Sequence, residues 1–170
     1  IAGYRNDVLK EKFKDTEIQF VVNESYETTN MVCSLMCARK LMEKESDILI
    51  SYGDIIYSKE VLEKILQSQD DMGVIVDDGW YEYWSARCEN PLDDAETLMF
   101  DENDYLTEIG QKTTDLNKVQ SQYIGLMRFK NAGLQAVLDL SAEAKKRSEN
   151  GKALWRTERT YAKMYMTDLL

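Results

Sequence analysis

The sequence predicts an α/β protein built on a mixed, mainly parallel sheet, and two observations carry that expectation. Short β-rich runs at residues 17–22, 48–51 and 72–76 alternate with stretches whose apolar residues recur every three to four positions. Such alternation favours parallel strands joined by right-handed helical crossovers. Each run also ends in a polar loop, at Asn23 to Thr29, Gly53-Asp54 and Asp77-Asp78. The carboxyl ends of strands are where an open α/β sheet binds its ligands.

Taken in order, Ile1-Ala2-Gly3-Tyr4 reads as the end of a strand, and Val8, Leu9 and Phe13 suit a short helix over 6–13. After the run 17–22, Thr29 or Asn30 can cap a helix reaching to about residue 42, with Met31, Leu35, Ala38, Leu41 and Met42 on its apolar side. Strand 48–51 is followed by a helix over 59–67 with Val61, Leu62, Ile65 and Leu66 inward, and then by strand 72–76. Beyond Asp78 the character changes. Trp80, Tyr81, Tyr83 and Trp84 crowd together, Asn90-Pro91 punctuates, and no helical period is recognisable before Thr97, so 78–96 reads as an inserted region facing substrate. Segments 97–100 and 105–109 flank Asp101-Glu102-Asn103-Asp104, a turn suited to a hairpin. A further strand spans 122–129, and 131–147 is a helix with Leu134, Val137, Leu138 and Ala142 on one face. Residues 148–160 are polar apart from Leu154 and Trp155, and 161–170 is a closing apolar stretch.

With 170 residues, 44% of them hydrophobic, the chain suits one domain with a real core. A formal charge of −10 argues against a binder of nucleic-acid backbones, whose affinity comes mostly from lysine and arginine. One bound nucleotide needs only a local basic residue and a cation. No apolar run is long enough to cross a membrane and the first residues lack a secretory pattern, so a cytoplasmic protein is expected, with no membrane partner. Cys33, Cys37 and Cys88 are odd in number and read as small buried hydrophobes in a reducing compartment. The absence of histidine removes the usual general base, so catalysis would rest on charge stabilisation and positioning.

Gly53-Asp54 follows the apolar run Ile48-Leu49-Ile50 and Tyr52, which places one carboxylate at the end of a strand. Glycine lets a backbone approach a phosphate closely, and an adjacent aspartate can hold a hard divalent cation through oxygen while phosphates fill the remaining positions. The plainer alternative is a surface turn. Asp77 with Trp80, Tyr81, Tyr83 and Trp84 offers aromatic faces beside a carboxylate, the pattern that recognises a quaternary ammonium. Core or lid packing is the alternative for these rings.

Three groups of residues then fall in a telling order: Asn23-Glu24-Ser25-Tyr26-Glu27-Thr28-Thr29-Asn30, Ser34-Leu35, and Tyr52-Gly53-Asp54. Together they resemble the middle of the nucleotidylyltransferase family that activates sugar phosphates and phosphocholine. The spacing from Thr29 to Leu35 is nearest the bacterial choline-phosphate cytidylyltransferase-like branch. Downstream, Glu108-Ile109-Gly110-Gln111-Lys112, Gln122-Tyr123-Ile124-Gly125 and Tyr165-Met166-Thr167-Asp168 are similar to later elements of the family. The resemblance covers nearly all of the chain. Two elements of the pattern are missing: the glycine-rich loop that wraps the triphosphate would precede Ile1, and the second metal carboxylate would follow Leu170.

What the resemblance implies is a three-layer α/β/α fold of the GT-A-like kind, incomplete at both ends, with 1–170 forming one partial domain. It implies attack of a substrate phosphate on the α-phosphorus of a nucleoside triphosphate, CTP by the nearest branch, with release of pyrophosphate. Asp54 would hold Mg²⁺, with Gly53 beside the phosphates, and Lys112 would place an ammonium near the substrate phosphate, although an exposed strand-end lysine is the alternative. Asn23, Thr28 and Thr29 would meet the base, an amide being suited to donate and accept together, or Thr29 and Asn30 would simply cap the helix. Asp77, Trp80, Trp84, Tyr123, Tyr165 and Thr167 are the substrate-side candidates. Phosphocholine or a related aminoalkyl phosphate or phosphonate is the acceptor this reading favours. A sugar 1-phosphate, a glycosyltransferase using Asp77-Asp78 and a non-catalytic nucleotide-binding module are the competing readings.

Overall fold

The computed structural model describes residues 1–155 and 157–170 and divides into two compact units, 1–46 with 135–170, and 47–134. In chain order the elements are helices α1 (Asn6–Lys12), α2 (Met31–Cys37) and α3 (Arg39–Met42), strand β1 (Asp47–Ser51), helix α4 (Lys59–Gln67), strand β2 (Met72–Asp77), helix α5 (Trp80–Ser85), strands β3 (Glu96–Phe100), β4 (Leu106–Lys112) and β5 (Gln122–Lys130), and helix α6 (Asn131–Glu149). Single 3₁₀ turns at Pro91–Asp93, Leu116–Lys118, Tyr161–Lys163 and Met166–Asp168 complete the description.

The second unit is a mixed α/β assembly around a three-stranded sheet of order β1-β5-β2. The expected mainly parallel pairing does not form. β1 and β2 do run in the same direction and are joined through α4, as the alternation predicts, but β5 lies between them and is antiparallel to each. Asp47 stands opposite Lys130 and Ser51 opposite Leu126 on one side, and Met72 opposite Phe129 and Asp77 opposite Gln122 on the other, with a bulge between Val74 and Val76. The two strands of the crossover leave room for one strand between them. β5 fills it because it is the run able to bury itself: Leu126, Met127 and Phe129 are fully buried. Among the described residues, parallel pairing is confined to the single bridges Ala2 to Val22 and Leu98 to Val119.

Two details fix β5 in place. Gly125 has φ +88°, and a Cβ there would fall 2.5 Å from Cδ2 of Tyr52, so glycine is required both for the backbone and for the ring that covers it. The Tyr52 N–H donates to the Gly125 carbonyl at 2.9 Å, extending the β1 edge by one residue. Arg128 grips Asp47 with two bonds, Nε to Oδ1 at 2.8 Å and Nη2 to Oδ2 at 2.5 Å, while its Nη1 donates to the Leu66 carbonyl at 2.6 Å. One side chain thereby ties both sheet strands to the last turn of α4, where carbonyls lack helical partners.

β3 and β4 form the expected antiparallel hairpin, closed by Asp101, whose Oδ1 accepts from the N–H groups of Asn103 and Tyr105 at 2.8 and 3.0 Å. The other edge of β3 is satisfied by the chain entering β5. Gln120 donates its N–H to the Leu98 carbonyl at 2.9 Å and accepts from the Phe100 N–H at 2.6 Å, and the Gln122 amide spans Glu96, donating to its carbonyl at 2.7 Å and accepting from its N–H at 3.3 Å. Side-chain amides thus stand in for a strand along an edge that would otherwise hold orphan backbone groups.

In the first unit the expected strand 17–22 is not formed. Ala2 alone pairs with this segment, through Ala2 N–H to Val21 carbonyl at 2.9 Å and Asn23 N–H to Ala2 carbonyl at 2.8 Å, and one bridge is too little to make a ladder. The single helix expected up to residue 42 is two, broken at Ala38 with φ −88° and ψ 4°. The start of α2 is closed by the 3₁₀ turn at Tyr161–Lys163 and the residue after it, because Asn30 and Val32 donate their N–H groups to the Ala162 and Met164 carbonyls at 2.8 and 3.4 Å. The segment after Asp78, expected to be irregular, holds α5, a two-turn helix whose Trp80 and Trp84 share a face and pack with Ala95, Val119 and Leu92.

Gly125→Ala should destabilise the protein by about 2 kcal/mol or more, from left-handed backbone strain and the clash with Tyr52, measured by urea unfolding. Asp47 carries an acid-side dependence. Its hydrogen bonds to Arg128 hold the carboxyl below its ordinary value, so the stabilisation is complete above the unfolded value of about 3.9 and is lost as pH falls through the lower folded value. Asp47→Asn should flatten that part of the stability profile, read as urea midpoints against pH.

Candidate functional site

Because β1 and β2 share a direction, their carboxyl ends fall on one edge of the sheet, on either side of the start of β5. That edge carries Tyr52-Gly53-Asp54, Asp77-Asp78, Gln122 and Tyr123. Asp54 is exposed and makes no hydrogen bond or ion pair with the described residues. A Cβ at Gly53 would meet nothing within 4 Å, and its φ is not in the left-handed region, so neither packing nor backbone explains glycine there. What glycine leaves open is the space in front of the loop. Asp77 accepts the Gly79 N–H through Oδ1 at 2.9 Å, and the Asp78 carboxylate accepts a hydrogen bond from Ser121 Oγ. Both acids help turn the chain into α5.

Among the described residues no group of three or more potential ligands gathers at one point. That donor set still suits Mg²⁺, which is commonly bound through one or two carboxylates together with substrate phosphates and water. Asp54 is the carboxylate available for this role, with Asp77 on the same edge.

Tyr123 is half-buried and meets Tyr52 edge to face, the ring centroids 5.8 Å apart. Burial, and then the neighbouring Tyr52, push its phenol well above the ordinary tyrosine value, so it stays a neutral hydrogen-bonding group. Lys112 ends β4, and its Nζ donates to the carbonyls of Asp93 and Asp94 at 3.4 and 3.2 Å. The ammonium thus closes the turn after Pro91–Asp93. Its strand pairs with β3 at Glu96, which the Gln122 amide joins to the sheet edge carrying Asp77.

The aromatic cluster departs most from expectation. Trp80 is 3% exposed and belongs to the core with Ala95 and Val119, so it offers no face to a ligand. Tyr81 and Tyr83 are exposed. The guanidinium of Arg87 lies over the Tyr83 ring at 5.1 Å and the Trp84 ring at 5.7 Å, and its Nη1 donates to the Tyr83 hydroxyl at 3.3 Å. A cation of the protein's own therefore occupies the faces expected to receive a quaternary ammonium. Sequence reasoning missed Arg87, which lies just past the end of α5, although its spacing of three and four residues from Trp84 and Tyr83 was a readable signal.

In the first unit, Asn23 is 5% exposed and spends its amide inside its own loop. Nδ2 donates to Thr29 Oγ1 at 2.9 Å and to Ser34 Oγ at 3.0 Å, and Oδ1 accepts the Ser25 N–H at 3.0 Å. Thr28 and Thr29 both donate their hydroxyls to the Ser25 carbonyl, at 3.2 and 2.8 Å. Asn30 caps α2, its side chain accepting the Met31 N–H at 2.9 Å. Asn23 therefore shapes the loop, and Thr28 is the exposed member. Tyr165 and Thr167 belong to the closing segment, which Asp168 organises. Its carboxylate, 1% exposed, accepts from Arg159 Nη1 and from the Tyr165 N–H, both at 2.8 Å, and Arg159 also lies 4.4 Å over the Tyr165 ring.

Trp80→Ala should cost about 3–5 kcal/mol of stability in urea unfolding, whereas Tyr83→Ala should cost about 1 kcal/mol or less. Equal effects would contradict the division of these rings into core and surface.

No family model matches the chain. A search of characterised proteins finds it 38% identical over 143 residues to the CTP:phosphoglutamine cytidylyltransferase of Campylobacter jejuni, a match covering 81% of this chain and 56% of that protein. The chain thus spans about half the length of the curated relative it matches. Together with the order of its motifs, that likeness makes the chain similar, over most of its residues, to a cytidylyltransferase, which is a nucleotidyltransferase that draws on CTP.

Proposed function

We propose that the protein transfers the cytidylyl group of CTP to a small phosphorylated acceptor and releases pyrophosphate. The observation that carries this reading is the 38% identity to a cytidylyltransferase, joined to an exposed Asp54, unpaired among the described residues, beside an open Gly53 at the edge where β1 and β2 end. A phosphate oxygen of the acceptor attacks the α-phosphorus, a new P–O bond forms, and the bond to the bridging oxygen breaks with pyrophosphate leaving. The nucleophile is already anionic, so no general base is needed, which suits a chain without histidine. Mg²⁺, when bound, neutralises charge on the triphosphate. Asp54 holds that cation, Gly53 leaves room for the phosphates, Asp77 shapes the neighbouring turn, and Tyr123 supplies a neutral hydroxyl. Thr28 and Thr29, on the loop that Asn23 braces, remain candidates for the base, and Tyr165 and Thr167 for the substrate.

The acceptor we favour differs from phosphocholine. Trp80 is core, and Arg87 covers Tyr83 and Trp84 with a positive charge that would repel a trimethylammonium. The Campylobacter jejuni relative acts, by its name, on phosphoglutamine, and a phosphorylated acceptor of that kind sits better with the Arg87 guanidinium that follows α5. The crossover of β1, α4 and β2 supports the three-layer, GT-A-like fold for the protein. We also propose a cytoplasmic setting, which three free cysteines support.

Pyrophosphate release with Mg²⁺ and CTP is the test, with phosphoglutamine, phosphocholine and glucose 1-phosphate compared as acceptors. Phosphoglutamine should be used best, and Asp54→Ala should lower its rate by about 100-fold or more. Gly53→Ala should lower the rate with no change in the unfolding midpoint, since its Cβ meets only open space. Undiminished release by Asp54→Ala would overturn the site, and a preference for phosphocholine or the sugar phosphate would overturn the acceptor.

A further inference from the structure

The first unit holds a cleft of about 420 Å³ between the end of α2, Arg39 of α3, the C-terminal half of α6 and Tyr161. It is the right size for a small ligand. In a chain of net charge −10, its walls gather Arg39, Lys145 and Lys146 against one acid, Glu149. Arg39 is held in place by Nε to Glu43 Oε1 at 2.7 Å and by Nη1 to the Leu138 carbonyl at 2.9 Å. Lys145 and Lys146 are exposed and form no ion pair with the described residues. Basic residues near a helix C-terminus are favoured by the backbone dipole alone. Arg147, the next residue, shows what that role looks like here: it turns away to the Ala153 carbonyl at 3.0 Å and to the Trp155 ring at 5.2 Å. Lys145 and Lys146 line the cleft instead.

Hydroxyls complete the lining. Ser141 is 1% exposed, and its Oγ lies 3.4 Å from the Tyr161 hydroxyl, well beyond the usual O–H···O separation of about 2.7–2.8 Å. A buried hydroxyl so weakly paired has bonding capacity left for a ligand. Two ammonium groups unpaired among the described residues, a guanidinium anchored by Glu43 and two hydroxyls lining one cleft suit a compact, multiply charged oxyanion better than a carboxylate or an apolar body.

We propose that this cleft is an anion site for a small phosphate ester. Its wall residue Tyr161 precedes Ala162, whose carbonyl accepts the Asn30 N–H at the end of the Asn23 loop. The site is thus built on the same turn that closes the start of α2.

The test is an NMR titration of the protein with inorganic phosphate and with glucose 1-phosphate, at constant ionic strength and without CTP or metal. The expected result is saturable shifts at Arg39, Ser141 and Tyr161, weakened about tenfold or more in K145E/K146E and retained in K10E/K12E, which makes the same charge change on α1. Should the double reversal unfold the protein, S141A/Y161F provides the same comparison without a change of charge. The proposal is overturned by an absence of saturable shifts with either anion, by equal weakening in K10E/K12E, or by loss of the shifts in Asp54→Ala, which would move the binding to the sheet edge.

Discussion

Strand β5 must satisfy hydrogen bonds on both of its edges and bury its side chains between two strands that arrive from far upstream. The rest of the second unit depends on that. Leu126, Met127 and Phe129 supply the burial, Gly125 makes room for Tyr52, and Arg128 reaches Asp47 and the end of α4 together. With β5 in the middle, β1 and β2 are forced into one direction, and the loops holding Asp54 and Asp77 are delivered to one edge. The same strand's approach, through Gln120 and Gln122, joins the β3-β4 hairpin to it.

Much of this was legible in the sequence, and what was not has physical reasons. The helix 59–67 and the strands near 48–51 and 72–76 were readable because their apolar periods are local. Their common direction was readable from the alternation. The insertion of β5 was not, since pairing between residues about fifty to eighty positions apart leaves no local trace in either partner. Residues 17–22 have strand-like composition and yet find only Ala2 as a partner, which shows how far β propensity depends on context. The helix α5 was missed because six residues, four of them aromatic, give too short a window for a helical period, although the spacing of Trp80 and Trp84 held the clue.

The site divides along similar lines. The position of Asp54 and Gly53, just past the carboxyl end of β1, was readable from the order of residues. The loop from Asn23 to Asn30 was visible as a unit, but which atoms it spends on itself depends on folding: Asn23 turns its amide inward to Thr29, Ser34 and Ser25. For Lys112, Trp80 and Trp84 the residue types were suggestive and the surroundings decided. Backbone carbonyls take the lysine, the core takes Trp80, and Arg87 takes the face of Trp84. Arg87 puts the protein's own cation over Tyr83 and Trp84, where the sequence suggested room for a quaternary ammonium.

In the proposed function, metal-bound CTP sits against the edge where β1 and β2 end. Paramagnetic broadening tests it directly: Mn²⁺ with CTP added to the isotopically labelled protein broadens the amide signals nearest the metal. Gly53, Asp54 and the turn from Asp77 to Gly79 should broaden first, and the effect should disappear in Asp54→Ala. Broadening confined to Arg39, Lys145 and Tyr161, or unchanged by the substitution, would contradict it.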